Sequence, residues 1–141
     1  MNLQDRFYIM TAKDVKKPLV MAVDDNEDNL QLLTQLLELI ECSFITATDG
    51  ATAILKAKNY QPSLILLDMM LPDISGIEVA HSLKQDSQTI GIPIIAVTAM
   101  ARGEDRELFI LSGCVDCVTK PYNIDDIEVI IRKYVFQTNP F

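Results

Sequence analysis

The chain has 141 residues and a formal net charge of −8, from 12 Lys+Arg against 20 Asp+Glu. That length fits one domain, and at this size about 68–70% of the unfolded surface can be buried without a metal or disulfide staple. The acidic balance argues against a nucleic-acid-binding face, suits a protein that holds a cation or meets a basic partner, and accompanies apolar runs far shorter than the ~20 residues that span a bilayer.

Residues 1–17 carry four basic and two acidic side chains and a short apolar cluster at 7–10, whereas residues 18–141 carry eight basic and eighteen acidic ones. The first segment has no apolar core followed by a cleavage site, so a cytoplasmic location is expected. Three cysteines, Cys42, Cys114 and Cys117, are too few and odd in number for a secreted disulfide framework. The change at Pro18 divides an N-terminal extension, 1–17, from a domain, 18–135; residues 136–141 read as a C-terminal tail.

Two patterns alternate through the domain. Apolar runs rich in Val, Ile and Leu fall at 19–23, 44–47, 64–67, 92–97 and 115–118. Such short continuous runs read as strands buried on both faces. After the first, Leu30, Leu33, Leu37 and Ile40 recur with helical spacing. Further helical segments run through 51–57, 77–83 and 104–111, and Ile124, Ile127 and Ile131 mark a last one. Asn26 and Asp49 stand where N-caps belong, and Gly113 where a C-cap belongs. Five strands alternating with five helices predict a doubly wound α/β fold, a five-stranded parallel sheet with helices on both faces. The common flavodoxin-like order 2-1-3-4-5 would put a ligand crevice at the carboxyl ends of the first and third strands.

Polar residues gather at those strand ends. The first strand ends in Asp24-Asp25, the third in Asp68, the fourth in Thr98 and the fifth in Lys120-Pro121. In a parallel sheet all these ends share one edge. Three adjacent carboxylates repel unless a cation or a raised pKa intervenes, and a hard cation with oxygen ligands, Mg²⁺ above all, suits them best. Lys120 and Thr98 supply the positive charge and the hydroxyl that suit phosphoryl oxygens. A carboxylate beside such an ion can itself act as the nucleophile and form an aspartyl-phosphate.

The segments VDDNE at 23–27, LLDMMLPDISG at 66–76, AVTA at 96–99 and VTKP at 118–121, in this order, resemble the receiver domain of two-component response regulators, in its single-domain, chemotaxis-receiver form. The resemblance covers roughly residues 18–135. It implies that Asp68 is the phosphoacceptor, that Asp25 ligates Mg²⁺ directly and Asp24 mainly through water, and that the main-chain carbonyl of Met70 is a further ligand. Thr98 and Lys120 would contact the phosphoryl group, and the Lys120–Pro121 bond would be cis. The donor would be a histidine kinase or a histidine phosphotransfer protein. With only a tail after the domain, output would pass through contacts with a downstream protein, by the face of the fourth and fifth helices, or by onward relay; a homodimer is a further possible partner. No nucleic-acid contact or membrane insertion is expected. A receiver excised from a hybrid histidine kinase would read the same way.

Two departures stand out. Many receivers carry an aromatic residue three positions before the lysine, and here that position is Cys117, which predicts a muted or different rearrangement on activation. Tyr122 is no evident substitute. The positions two past Asp68 and two past Thr98 are Met70 and Met100, neither able to orient a hydrolytic water, which predicts slow self-hydrolysis of the phosphoprotein.

Other readings fit less well. Cys114 and Cys117 match C-x-x-C, but the pair enters a strand, where alternation would point the two side chains to opposite faces. His81 reads as a surface or half-buried helix residue rather than a phosphorelay group. An aspartyl phosphatase wants a second acid where Met70 stands, and a flavin site wants a hydroxyl- and glycine-rich loop after the first strand. A phosphorylation-independent interaction module of the same fold would be favoured by loss of the acidic residues, all of which are present.

Overall fold

Side chains along the apolar runs alternate between two buried faces, and that alternation organises the molecule. The computed structural model describes residues 17–99, 102–121 and 123–136. Five parallel strands, β1 (Leu19–Val23), β2 (Ser43–Ala47), β3 (Leu64–Asp68), β4 (Ile94–Thr98) and β5 (Asp116–Thr119), form one sheet in the order β2-β1-β3-β4-β5. Five helices follow them in turn: α1 (Glu27–Leu39), α2 (Gly50–Tyr60), α3 (Gly76–Lys84), α4 (Gly103–Leu111) and α5 (Ile124–Val135).

Met21, Val23, Ile65, Leu67, Ile94 and Ala96 face α2, α3 and α4, whose Ala53, Ala57, Val79, Ala80, Leu83 and Phe109 complete one core. The residues between them, Val20, Ala22, Leu64, Leu66, Ile95 and Val97, face Leu30, Leu33 and Leu37 of α1 and Ile127 and Ile131 of α5. Each fully buried Leu or Ile stabilises by about 1.5–3 kcal/mol, so truncating the wholly buried Leu66 to Ala costs ~2–5 kcal/mol.

The helix starts obey local chemistry. The side chains of Asn26, Asp49, Ser75 and Asn123 accept bonds from backbone N–H groups in the first turns of α1, α2, α3 and α5. Gly113 follows α4 with φ +113°, and the N–H of Cys114 returns to the carbonyl of Phe109 at 3.0 Å, a closure that favours glycine.

Several expectations shift. The fourth strand starts at Ile94, not residue 92, because Pro93 has no N–H for the ladder. The fifth runs 116–119 instead of 115–118. Cys114 and Cys117 do not point to opposite faces: both pack on the same core cluster, because Cys114 lies in the turn before β5, where strand alternation does not apply. His81 is exposed on α3. The extension 1–17 apart from Lys17, the tail 136–141 apart from Phe136, and Met100 and Tyr122 lie outside the described residues. No helix among the described residues is long and apolar enough to cross a membrane.

Candidate functional site

Parallel register brings the strand ends together. Val23 pairs with Leu67, and Asp68 pairs with Val97, so Asp24 leaves β1 beside the last residue of β3. Carboxylate oxygens of Asp24, Asp25 and Asp68 come within 4.8 Å of one another. Asp24 and Asp68 are only 1% and 5% exposed, while Asp25 faces solvent.

Lys120 reaches the cluster from the far edge of the sheet. Its N–H donates to the Thr98 carbonyl at 2.7 Å, fixing the backbone at the end of β5. Its Nζ donates to Asp24 Oδ2 at 2.8 Å and to Asp68 Oδ2 at 3.1 Å. The Lys120–Pro121 peptide bond is cis. Thr98 is buried at the end of β4, in register with Thr119, and the next residue, Ala99, lines a cleft of about 440 Å³ together with Asp24, Asp25, Asp68, Met70 and Lys120.

The remaining donors orient the acids. The Asn26 N–H donates to Asp24 Oδ1 at 2.9 Å and the Asn29 side-chain amide to Asp24 Oδ2 at 3.2 Å. The Met70 N–H donates to Asp68 Oδ1 at 3.0 Å. Burial pushes the Asp68 carboxyl above its usual range, against the opposing pull of the Met70 N–H and of Lys120. Burial also weakens the Lys120 ammonium, but its bonds to Asp24 and Asp68 outweigh that effect and hold it above the usual lysine range.

Charge and donor type together fit a divalent cation. Three carboxylates against one ammonium leave two negative charges in the cleft, and the donors are all oxygens, as a hard cation requires. Through these ion pairs the lysine already engages one carboxylate oxygen of Asp24 and one of Asp68.

Asp73, in the loop after β3, escaped the sequence reading, and Gly76, the first residue of α3, entered it only as a motif position. Asp73 accepts the N–H groups of Gly50 at 2.8 Å and Ala51 at 2.9 Å, tying that loop to the start of α2. These bonds hold its carboxyl down at about 2. Gly76 lies against the backbone of Asp68 and Met69: a Cβ there would stand 2.6 Å from the Asp68 carbonyl oxygen and 2.6 Å from Met69 Cα. The Asp-to-Gly spacing of eight is visible in sequence; its reason, a close backbone approach, is not.

Cys117 is half-buried and, with Arg106 and Ile130, lines a second cleft of about 460 Å³ between α4 and α5. Burial pushes the Cys114 thiol up to about 11 and raises that of Cys117, which opposes formation of a nucleophilic thiolate.

The sequence model of the Response regulator receiver domain matches residues 20–132. The Polar-differentiation response regulator DivK of Brucella anthropi is 38% identical over 116 residues, covering 82% of this chain and 94% of that protein. Among solved structures, the receiver domain of sensor histidine kinase PA1611 from Pseudomonas aeruginosa PAO1, with magnesium coordinated in its active-site cleft, superposes with a TM-score of 0.79 at 25% identity, covering 86% of this chain and 99% of that one. A chain of the co-crystal structure of the Saccharomyces cerevisiae phosphotransfer protein Ypd1 with the receiver domain of Ssk1 superposes with a TM-score of 0.80 at 30% identity, covering 85% and 90%.

Proposed function

The chain belongs to the response regulator receiver family, the signalling switches of two-component systems, and from that premise we propose that Asp68 accepts a phosphoryl group in a Mg²⁺-dependent reaction. The observation that carries this reading is the convergence of Asp24, Asp25, Asp68 and Lys120 in one cleft at the sheet's carboxyl edge. An oxygen of Asp68 bonds to the donor's phosphorus as the donor's P–N bond breaks, and the electron pair returns to the donor's imidazole. Asp24, Asp25, Asp68 and the main-chain carbonyl of Met70 are the residues that would hold Mg²⁺, which supplies positive charge against the developing phosphoryl oxygens. Lys120 exchanges its bonds to Asp24 and Asp68 for one to the phosphoryl group. Thr98, buried at the end of β4, supplies the hydroxyl partner, and the change in its position is what the α4 side of the molecule would read.

The donor in this reading is a histidine kinase or phosphotransfer protein in the cytoplasm, a choice supported by the likeness to a receiver solved with its phosphotransfer partner. Output passes to a downstream protein through surface contacts. The Met70 side chain, 70% exposed at the cleft, offers hydrolytic water no polar partner, so the phosphoryl group is long-lived.

The test is incubation with acetyl phosphate, with and without Mg²⁺, followed by intact mass. The wild-type protein should gain one phosphoryl group only with Mg²⁺, and Asp68→Ala should gain none. Labelling of Asp68→Ala at the wild-type rate would remove the site assignment, and no labelling of either protein would turn the reading to a phosphorylation-independent module.

A further inference from the structure

Helix α4 is unlike the other four. Of its nine residues only Phe109 is buried, and Leu108 and Leu111 are 51% and 82% exposed. These two leucines lie three apart, on one face of the helix. They form one wall of a groove of about 580 Å³, with Ile77, Glu78 and His81 of α3 opposite and Ser112 at its end. An exposed leucine alone means little; a contiguous apolar groove with a polar rim marks an interaction site.

The charges around the groove select the occupant. Glu78 lies on its edge. Exposed Glu104 and Glu107 share the stripe of Leu108 and Leu111 by helical spacing. The cations of the two helices are turned elsewhere. Lys84 Nζ donates to the carbonyls of Ile90 and Ile92, and Arg106 lines the separate cleft beside Cys117. His81 is the other titratable group facing the groove. A second copy of this chain would bring the same carboxylates and the same acidic excess against them, and a nucleic acid or an anionic membrane would be repelled likewise.

We propose that the α3–α4 groove docks an amphipathic helix of a partner protein, its Leu or Phe anchors at i, i+3 or i+4, and i+7 filling the groove and its Lys or Arg flanks meeting Glu78, Glu104 and Glu107. This surface lies on the opposite side of the sheet from α1 and α5. It requires no phosphoryl group at Asp68, so it stands or falls separately from the reading of that site.

The probe is a synthetic amphipathic peptide of about four helical turns, leucines on one face and lysines on the other, carrying a fluorophore. A peptide with glutamates in place of the lysines is the control. Anisotropy should show saturable binding of the lysine peptide to the unphosphorylated full chain, at least about tenfold tighter than the control. Amide shifts in ¹⁵N spectra should cluster at Ile77, His81, Leu108 and Leu111. Replacing Leu108 and Leu111 together by Ser should weaken binding at least about tenfold with an unchanged circular dichroism spectrum, which the exposure of both residues permits. Glu78→Lys with Glu107→Lys should favour the glutamate peptide. Absence of binding, shifts scattered over α1 or α5, or unchanged affinity in the serine variant would overturn the proposal. So would a concentration-dependent dimer that the serine variant abolishes, because the occupant would then be a second copy.

Discussion

The Lys120 ammonium stands 3.1 Å from the Asp68 carboxylate across 52 residues of chain. It also holds Asp24 at 2.8 Å, so a single cation bridges the ends of β1 and β3 from the end of β5. That bridge compensates the acidic cluster when no metal is bound, and it couples the cluster to the sheet's edge strand.

Lys120→Gln removes the bridge and leaves the carboxylates facing one another. We expect a loss of about 1–3 kcal/mol of stability in chelator-treated protein, partly restored by Mg²⁺, together with at least ~10-fold slower phosphoryl uptake. Chemical denaturation with and without Mg²⁺ and a mass time course measure the two effects.

Asp68 predicts a pH dependence of unusual sign. Its folded carboxyl is raised by burial above the ordinary 3.8, so its contribution favours folding below that value and is lost as pH rises through the folded pKa. At neutral pH the metal-free protein therefore carries a destabilising charge. Asp68→Asn should raise the metal-free Tm at neutral pH by a few degrees and lose that advantage as pH falls toward about 4. Saturating Mg²⁺, at about a hundred times its Kd, should stabilise the wild type by ~2.7 kcal/mol. Thermal melts at several pH values check all three.

Asp73 has the opposite sign. Its carboxyl, held at about 2 by the Gly50 and Ala51 N–H groups, contributes stability that is complete above 3.8 and disappears as pH falls through about 2. The gap in Tm between wild type and Asp73→Ala should therefore narrow over that window, and it should be insensitive to pH near neutrality.

Gly76→Ala would force a Cβ to 2.6 Å from the backbone of Asp68 and Met69. We expect ~1–3 kcal/mol of destabilisation. Phosphoryl uptake should slow as well, because relief of the clash moves the strand end that carries Asp68. Denaturation midpoints and labelling rates report the two consequences.

Met70→Asn should speed loss of the phosphoryl group several-fold by giving water a hydrogen-bond partner at the mouth of the cleft. Decay of the phosphorylated mass after removal of acetyl phosphate measures it. Equal decay in both proteins would leave the methionine without a role in lifetime.

Much of this protein was legible without coordinates. Run lengths and the alternation of strand and helix periods led to five parallel strands with helices on both faces, and the order β2-β1-β3-β4-β5 is the one that strands of this kind most often adopt. The gathering of Asp24, Asp25, Asp68 and Lys120 followed too, because parallel strands end on one edge. The elements and their shared edge follow from local period and chain connectivity, which a sequence states directly; the strand order was the common choice among those open, and the structure has it.

Other features depended on which surfaces meet. The Asp73 link to α2 spans more than twenty residues, and the need for glycine at 76 is a backbone contact with no side chain to read. Cys114 and Cys117 share one core because a turn interrupts the strand alternation. The 104–111 segment has helical spacing, yet α4 buries one residue and leaves its leucines outward, since periodicity marks an apolar face without saying what covers it. The sequence by itself determined the alternation of strands and helices along the chain and the edge where the acids collect. Tertiary packing decided that a lysine already engages those acids, that Asp73 ties the loop after β3 to α2, that Gly76 lies against the backbone of Asp68, and that α4 leaves its leucines exposed among the described residues, because each rests on distances between different segments of the chain.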